Sequence, residues 1–106
     1  MPRRDKGGTM SVLMTLRVTG DGKGIEAGDQ ALLKSISDRA HEQGAIHHRF
    51  YGSDTEVLVI DEWSDEASFQ AFFDGTPEIR QIMDGAGVTS APQVDFWHAL
   101  DTTDAF

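Results

Sequence analysis

Proton transfer near neutral pH is the chemistry this chain is best supplied for. His47, His48 and His98 all sit in strand-forming surroundings, and imidazole is the side chain that changes charge between pH 5 and 8. His47 and His48 are neighbours in AIHHRFY, so on a strand they point to opposite faces and cannot grip one metal ion together. Asp61 and Glu62 have the composition of a paired-carboxylate acid/base site, yet as strand neighbours they also face apart. Arg17 is the only charge in SVLMTLRVT. Trp63 and the phenylalanines Phe69, Phe72 and Phe73 form an aromatic group that packs a core or lines a pocket for a flat ligand, with His48, His98 or Arg17 to orient it. The run Gly20-Asp21-Gly22-Lys23-Gly24 has neither the spacing of a phosphate-binding loop nor that of a dinucleotide fingerprint.

The elements that must hold these residues follow from periodicity. Ser11 to Thr19 alternates, with Val12, Met14, Leu16 and Val18 on one face. The glycines that follow predict a flexible loop. Leu32, Leu33, Ile36 and Ala40 then predict a helix over about 26–43, stopped by Gly44 in a left-handed conformation. Ala45 to Tyr51 reads as a strand with Ile46, His48 and Phe50 on one face, turned by Gly52-Ser53-Asp54 into Val57-Leu58-Val59-Ile60. That run is apolar on both faces, as a central strand is. Trp63 ends it, Ser64 is placed to cap the next helix, and Phe69, Phe72 and Phe73 make one helical face. Thr76-Pro77 starts a second short helix reaching about Asp84, and Pro92 to Leu100 is the last strand.

A chain of 106 residues with 39% hydrophobic content makes one domain: residues 1–10 read as a disordered tail and 11–106 as a single folded unit. No apolar run approaches the roughly 20 residues of a membrane span, and no signal-peptide core is present, so a cytoplasmic protein is expected. The absence of cysteine rules out thiolate catalysis, disulfides and cysteine-held metal. A net charge of −9 argues against nucleic acid as a partner.

The order β-α-β-β-α-β is the split βαβ arrangement, an α+β, ferredoxin-like fold with an antiparallel four-stranded sheet and both helices on one face. Its second and fourth strands are opposite edges, roughly 14 Å apart at 4.8 Å per strand, so His48 and His98 approach each other only across a dimer contact. The uncovered sheet face includes alternate residues of the apolar central strand, which predicts a face-to-face homodimer.

With GAIHHRF leading into the second strand and DEWSDEASFQAFF at the strand-to-helix junction, the chain resembles the dimeric α/β-barrel superfamily, and within it the antibiotic-biosynthesis-monooxygenase-like domains. The resemblance spans roughly residues 11–100. It implies a dimeric barrel and a pocket between helices and sheet near Trp63. It also implies cofactor-independent oxygenation of polyketide quinols and related aromatics in some members, and haem degradation in others. Many members carry a histidine nine residues beyond the tryptophan, where this chain has Phe72. Haem-degrading members need an asparagine on the first strand, a tryptophan at the position of Phe72 and a histidine at that of Ile82; this chain contains no asparagine at all.

Two functions follow as expectations. One is a monooxygenase-like enzyme without metal or organic cofactor, acting on a small hydrophobic aromatic or polyketide-type metabolite, with His48 or His98 as proton acceptor and Trp63, Phe69, Phe72 and Arg17 around the ligand. The other is a module of the same fold that holds a ligand, or fills the pocket with side chains, without catalysis.

Overall fold

The structure, a computed structural model, describes residues 11–106; the tail read over residues 1–10 lies outside them. Strand β1 (Val12–Thr19) is followed by helices α1 (Gly22–Glu26) and α2 (Gln30–Glu42), then strands β2 (Ala45–Gly52) and β3 (Glu56–Trp63). Helices α3 (Glu66–Asp74) and α4 (Glu78–Gly85) lead to strand β4 (Gln93–Trp97). The strands form one antiparallel sheet in the order β2-β3-β1-β4. This is the ferredoxin-like α+β arrangement, with β2 and β4 at opposite edges. No described helix is long and apolar enough to cross a membrane.

Helices α1, α2 and α3 supply their buried residues to one face of the sheet. Met14, Leu16 and Val18 of β1 and Val57, Val59 and Trp63 of β3 meet Ile36 and Ala40 of α2 and Phe69 and Phe72 of α3. Trp63 is fully enclosed, touching Phe69 edge-on at 5.6 Å and Phe72 at 5.5 Å between ring centres. Such aromatic contacts add about 0.5–1.5 kcal/mol each to the area they bury. The opposite face carries Leu13, Arg17, Leu58, Ile60 and Trp97, all wholly or partly exposed.

Several local expectations are corrected. The helix predicted over 26–43 starts later, at Gln30, because Ala27-Gly28 precedes it and the Asp29 side chain caps its start by accepting from Leu32 N–H at 3.0 Å. The glycine run predicted as a flexible loop is α1, capped by Asp21 on Lys23 N–H. Its glycine content has a packing reason: a Cβ on Gly24 would stand 2.9 Å from Ala86 Cα, where α1 seats against the end of α4. The cap of α3 is Asp65, one residue after the predicted Ser64; its carboxylate accepts from Ser68 N–H at 2.7 Å. Thr76 does not cap α4 but donates its hydroxyl to Phe72 carbonyl at 2.7 Å. Gly44 does take a positive φ, +123°, as the end of α2 requires. The last strand is shorter than expected and ends at Trp97.

Candidate functional site

A bulge decides which histidine faces the core. Ala45 pairs with Trp63 and His47 with Glu62, so β2 spends one residue more than β3 across this step, and Ile46 is the extra residue. Strict alternation would put Ala45 and His47 on the same face. The bulge instead lets Ala45 stay buried while His48 and Phe50 turn inward opposite Asp61 and Val59. His47 falls on the outer face.

Across the sheet from His48 the inward row of β3 is Val57, Val59, Asp61 and Trp63, so a carboxylate occupies a core position and is only 6% exposed. Leaving a buried ion unpaired costs several kcal/mol, and here both oxygens are engaged. Asp61 Oδ1 lies 2.7 Å from His48 Nδ1, and Trp63 Nε1–H donates to Asp61 Oδ2 at 3.1 Å. Glu62, next along the strand, is on the other face and accepts from the Ser11 hydroxyl. The two carboxylates therefore do not converge, as alternation predicts.

Between the helices and the sheet lies a cavity of about 100 Å³. Its wall is almost wholly hydrocarbon, drawn from β1, β3 and all four helices. Ser37, His48 and Asp61 are its polar lining residues, and among the described residues no lysine or arginine reaches it. The side chain of His48 is 33% exposed, so the ring spans from the cavity towards solvent. Phe50 meets it edge-on at 5.1 Å. Among the described residues no group of three histidine, aspartate or glutamate side chains is placed to share a metal ion.

The residues singled out from the sequence are placed unequally. His48, Phe69 and Phe72 are on the cavity wall. Trp63 is not: it stands behind Asp61, fully buried, and bonds to the carboxylate. Arg17 is on the outer face, donating to Gln93 Oε1 at 3.0 Å and lying 3.5 Å from Glu56, because its neighbours Leu16 and Val18 take the inward positions. His98 follows the end of β4, exposed, at the far edge from His48. Sequence reasoning set Asp61 aside with Glu62 as non-convergent. The signal that could have found it was the inward parity of Val57, Val59 and Trp63, which forces a charge into the core at position 61.

No protein-family model matches the chain, and no curated protein does. Among solved structures, SnoaB, a cofactor-independent oxygenase from Streptomyces nogalater, aligns with a TM-score of 0.60 at 16% identity, over 91% of this chain and 99% of that one. The chain shares the fold of these oxygenases. A Streptomyces coelicolor monooxygenase in complex with the ligand nanaomycin D aligns at 0.62 and 11% identity, over 96% and 97% of the two chains. A dimeric ferredoxin-like protein from an uncultured marine organism aligns at 0.61 and 11%, over 98% and 100%. The resemblance read from the sequence to antibiotic-biosynthesis-monooxygenase-like proteins of the dimeric α/β-barrel superfamily thus holds at the level of the fold.

Proposed function

We propose that the cavity binds a small, neutral aromatic molecule bearing an acidic O–H or C–H, and that His48 takes that proton. The observation that carries this reading is the His48–Asp61 pair at the wall of a cavity otherwise formed by hydrocarbon and one serine. An apolar enclosure with a few placed polar groups is the general form of a small-molecule site. With no lysine or arginine among the described residues at the wall and a buried carboxylate close by, a ligand carrying a carboxylate or phosphate would enter without a counter-charge.

In the enzymatic form, the deprotonated ligand passes an electron to O₂, the co-reactant, and the protein supplies a dry enclosure and the proton acceptor. Neither metal nor organic cofactor is invoked. The fold likeness to a cofactor-independent oxygenase supports this chemistry. The size of the space bears on entry: about 100 Å³ is well below the ~300–1,000 Å³ usual for ligand pockets. A two- or three-ring ligand therefore has to displace something. Helix α4 is the element best able to yield, since none of its residues is buried although Ile79, Ile82 and Met83 form part of the wall.

The same size favours a second reading, a module that binds a small ligand without turning it over. Phe72, at the position where many resembling proteins carry a histidine, fills part of the space. Oxygen consumption on adding hydroquinones and anthrones, run beside a binding titration with the same compounds, separates the two. Uptake supports the oxygenase; saturable binding with no uptake supports the module; neither binding nor uptake contradicts both.

A homodimer is part of the proposal. The outer sheet face presents Leu13, Tyr51 and Trp97, each 40–54% exposed, around half-buried Leu58 and Ile60. Arg17 stands beside Leu58 and Arg49 beside Ile60, so the face is mixed, and its exposed aromatic and aliphatic side chains are what a second copy would cover. A dimeric protein of the same fold supports it.

A further inference from the structure

We infer that Asp61 is a positioning residue for His48, and that Trp63 in turn fixes Asp61, so that the three form one hydrogen-bonded chain which leaves Nε2 of His48 as the free base. This rests on the reading of His48 as the proton acceptor. A neutral imidazole has one protonated nitrogen and one lone pair, and the partner of one nitrogen settles the role of the other. At 2.7 Å from a carboxylate oxygen, Nδ1 of a neutral ring must be the donor. The lone pair is then on Nε2, for which no hydrogen-bond partner is found among the described residues.

Trp63 makes the arrangement directional. Its Nε1–H can only donate, and it holds Asp61 Oδ2, so the other oxygen is presented to the ring. The packing of Trp63 between Phe69 and Phe72 keeps the indole from turning away. When Nε2 receives the ligand's proton, one bond to hydrogen breaks on the ligand and one forms on Nε2. The ring's new positive charge sits against the Asp61 carboxylate, and no oxidant or reductant is needed for this step. The sequence places these residues 13 and 15 positions from His48, and the bulge at Ile46 is what brings the ring opposite them.

The experiment is a long-range ¹⁵N–¹H correlation spectrum of the ligand-free full chain at a pH where the rings are neutral, with His48 assigned by its loss in His48→Gln. The expected wild-type result is a protonated Nδ1 and a bare Nε2. In Asp61→Asn, Trp63 still claims the side-chain oxygen, the amide N–H group faces the ring, and the proton moves to Nε2. In Asp61→Asn combined with Trp63→Phe, the amide is free to rotate and Nδ1–H returns. A wild-type ring protonated at Nε2 overturns the inference, as does an unchanged tautomer in a folded Asp61→Asn protein. Should Asp61→Asn not fold, the wild-type spectrum alone decides. Oxygen uptake by Asp61→Asn is expected to fall ~10²–10⁴-fold, the scale of a wrong-tautomer histidine. Because the tautomer is read without ligand, a wild-type protein with the expected tautomer and no uptake would remove the oxygenase reading and leave the positioning chain intact.

Discussion

Placing a carboxylate where only 6% of the residue is exposed is costly, and the cost is offset only if both of its oxygens find donors. Asp61 meets that condition through His48 on one side and Trp63 on the other. The tryptophan therefore has two jobs that a phenylalanine could not both fill. Trp63→Phe keeps most of the ring packing and removes the donor, and is expected to destabilise the chain by about 1–3 kcal/mol, the usual cost of leaving a buried polar group short of a partner. Urea unfolding measures this, and an unchanged midpoint would show that Asp61 does not depend on the indole. Phe72 teaches a complementary point at the same scale: its ring packs on Trp63 and borders the cavity, so it narrows the space.

At the level of elements, two small features decide what the larger ones present. The bulge at Ile46 lets Ala45 and His48 both face inward. Deleting Ile46 forces one of them out; with Ala45 packed at 6% exposure and Asp61 left without its ring partner in the alternative, the deletion is expected to cost several kcal/mol in urea unfolding. A silent deletion would mean that the register of β2 is not fixed by these residues. Helix α3 is set by its cap. The backbone N–H of Ser68, and then its hydroxyl, hold the Asp65 carboxyl below the usual carboxylate range. A lowered folded-state value means that stability is present above the unfolded value, near pH ~4, and is lost as pH falls through the folded one. Asp65→Asn keeps the cap and is expected to flatten that acid limb in circular dichroism at decreasing pH. The order of elements was legible from the sequence because strand and helix patterns follow each other plainly, as in Val57 to Phe73, where a continuous apolar run gives way to phenylalanines at helical spacing. Helix α1 was not, since its glycine-rich neighbourhood offers only Ile25 as an apolar residue and reads as a loop. The bulge was not legible either, because an inserted residue shows only against the strand that pairs with it. His48 could be named as a candidate, but its partner could not.

For the whole molecule, the helices cover one sheet face and leave the other with Leu13, Leu58, Ile60, Tyr51 and Trp97 interspersed with Arg17, Arg49 and Glu62. Sedimentation at micromolar concentration is expected to give a dimer, and Leu58→Asp with Ile60→Asp to give a monomer; a wild-type monomer would contradict the proposed interface. The covered face encloses the cavity, so that the His48–Asp61 pair, an apolar wall and the thinly packed α4 meet in one place. The measurement that bears most directly on this account is the rate of oxygen uptake with a hydroquinone or anthrone by wild-type protein and by His48→Ala, each confirmed folded by its thermal melt. The predicted result is a fall of about 10²–10⁴-fold in kcat, the range for losing a general base. Equal rates in the two proteins would contradict it.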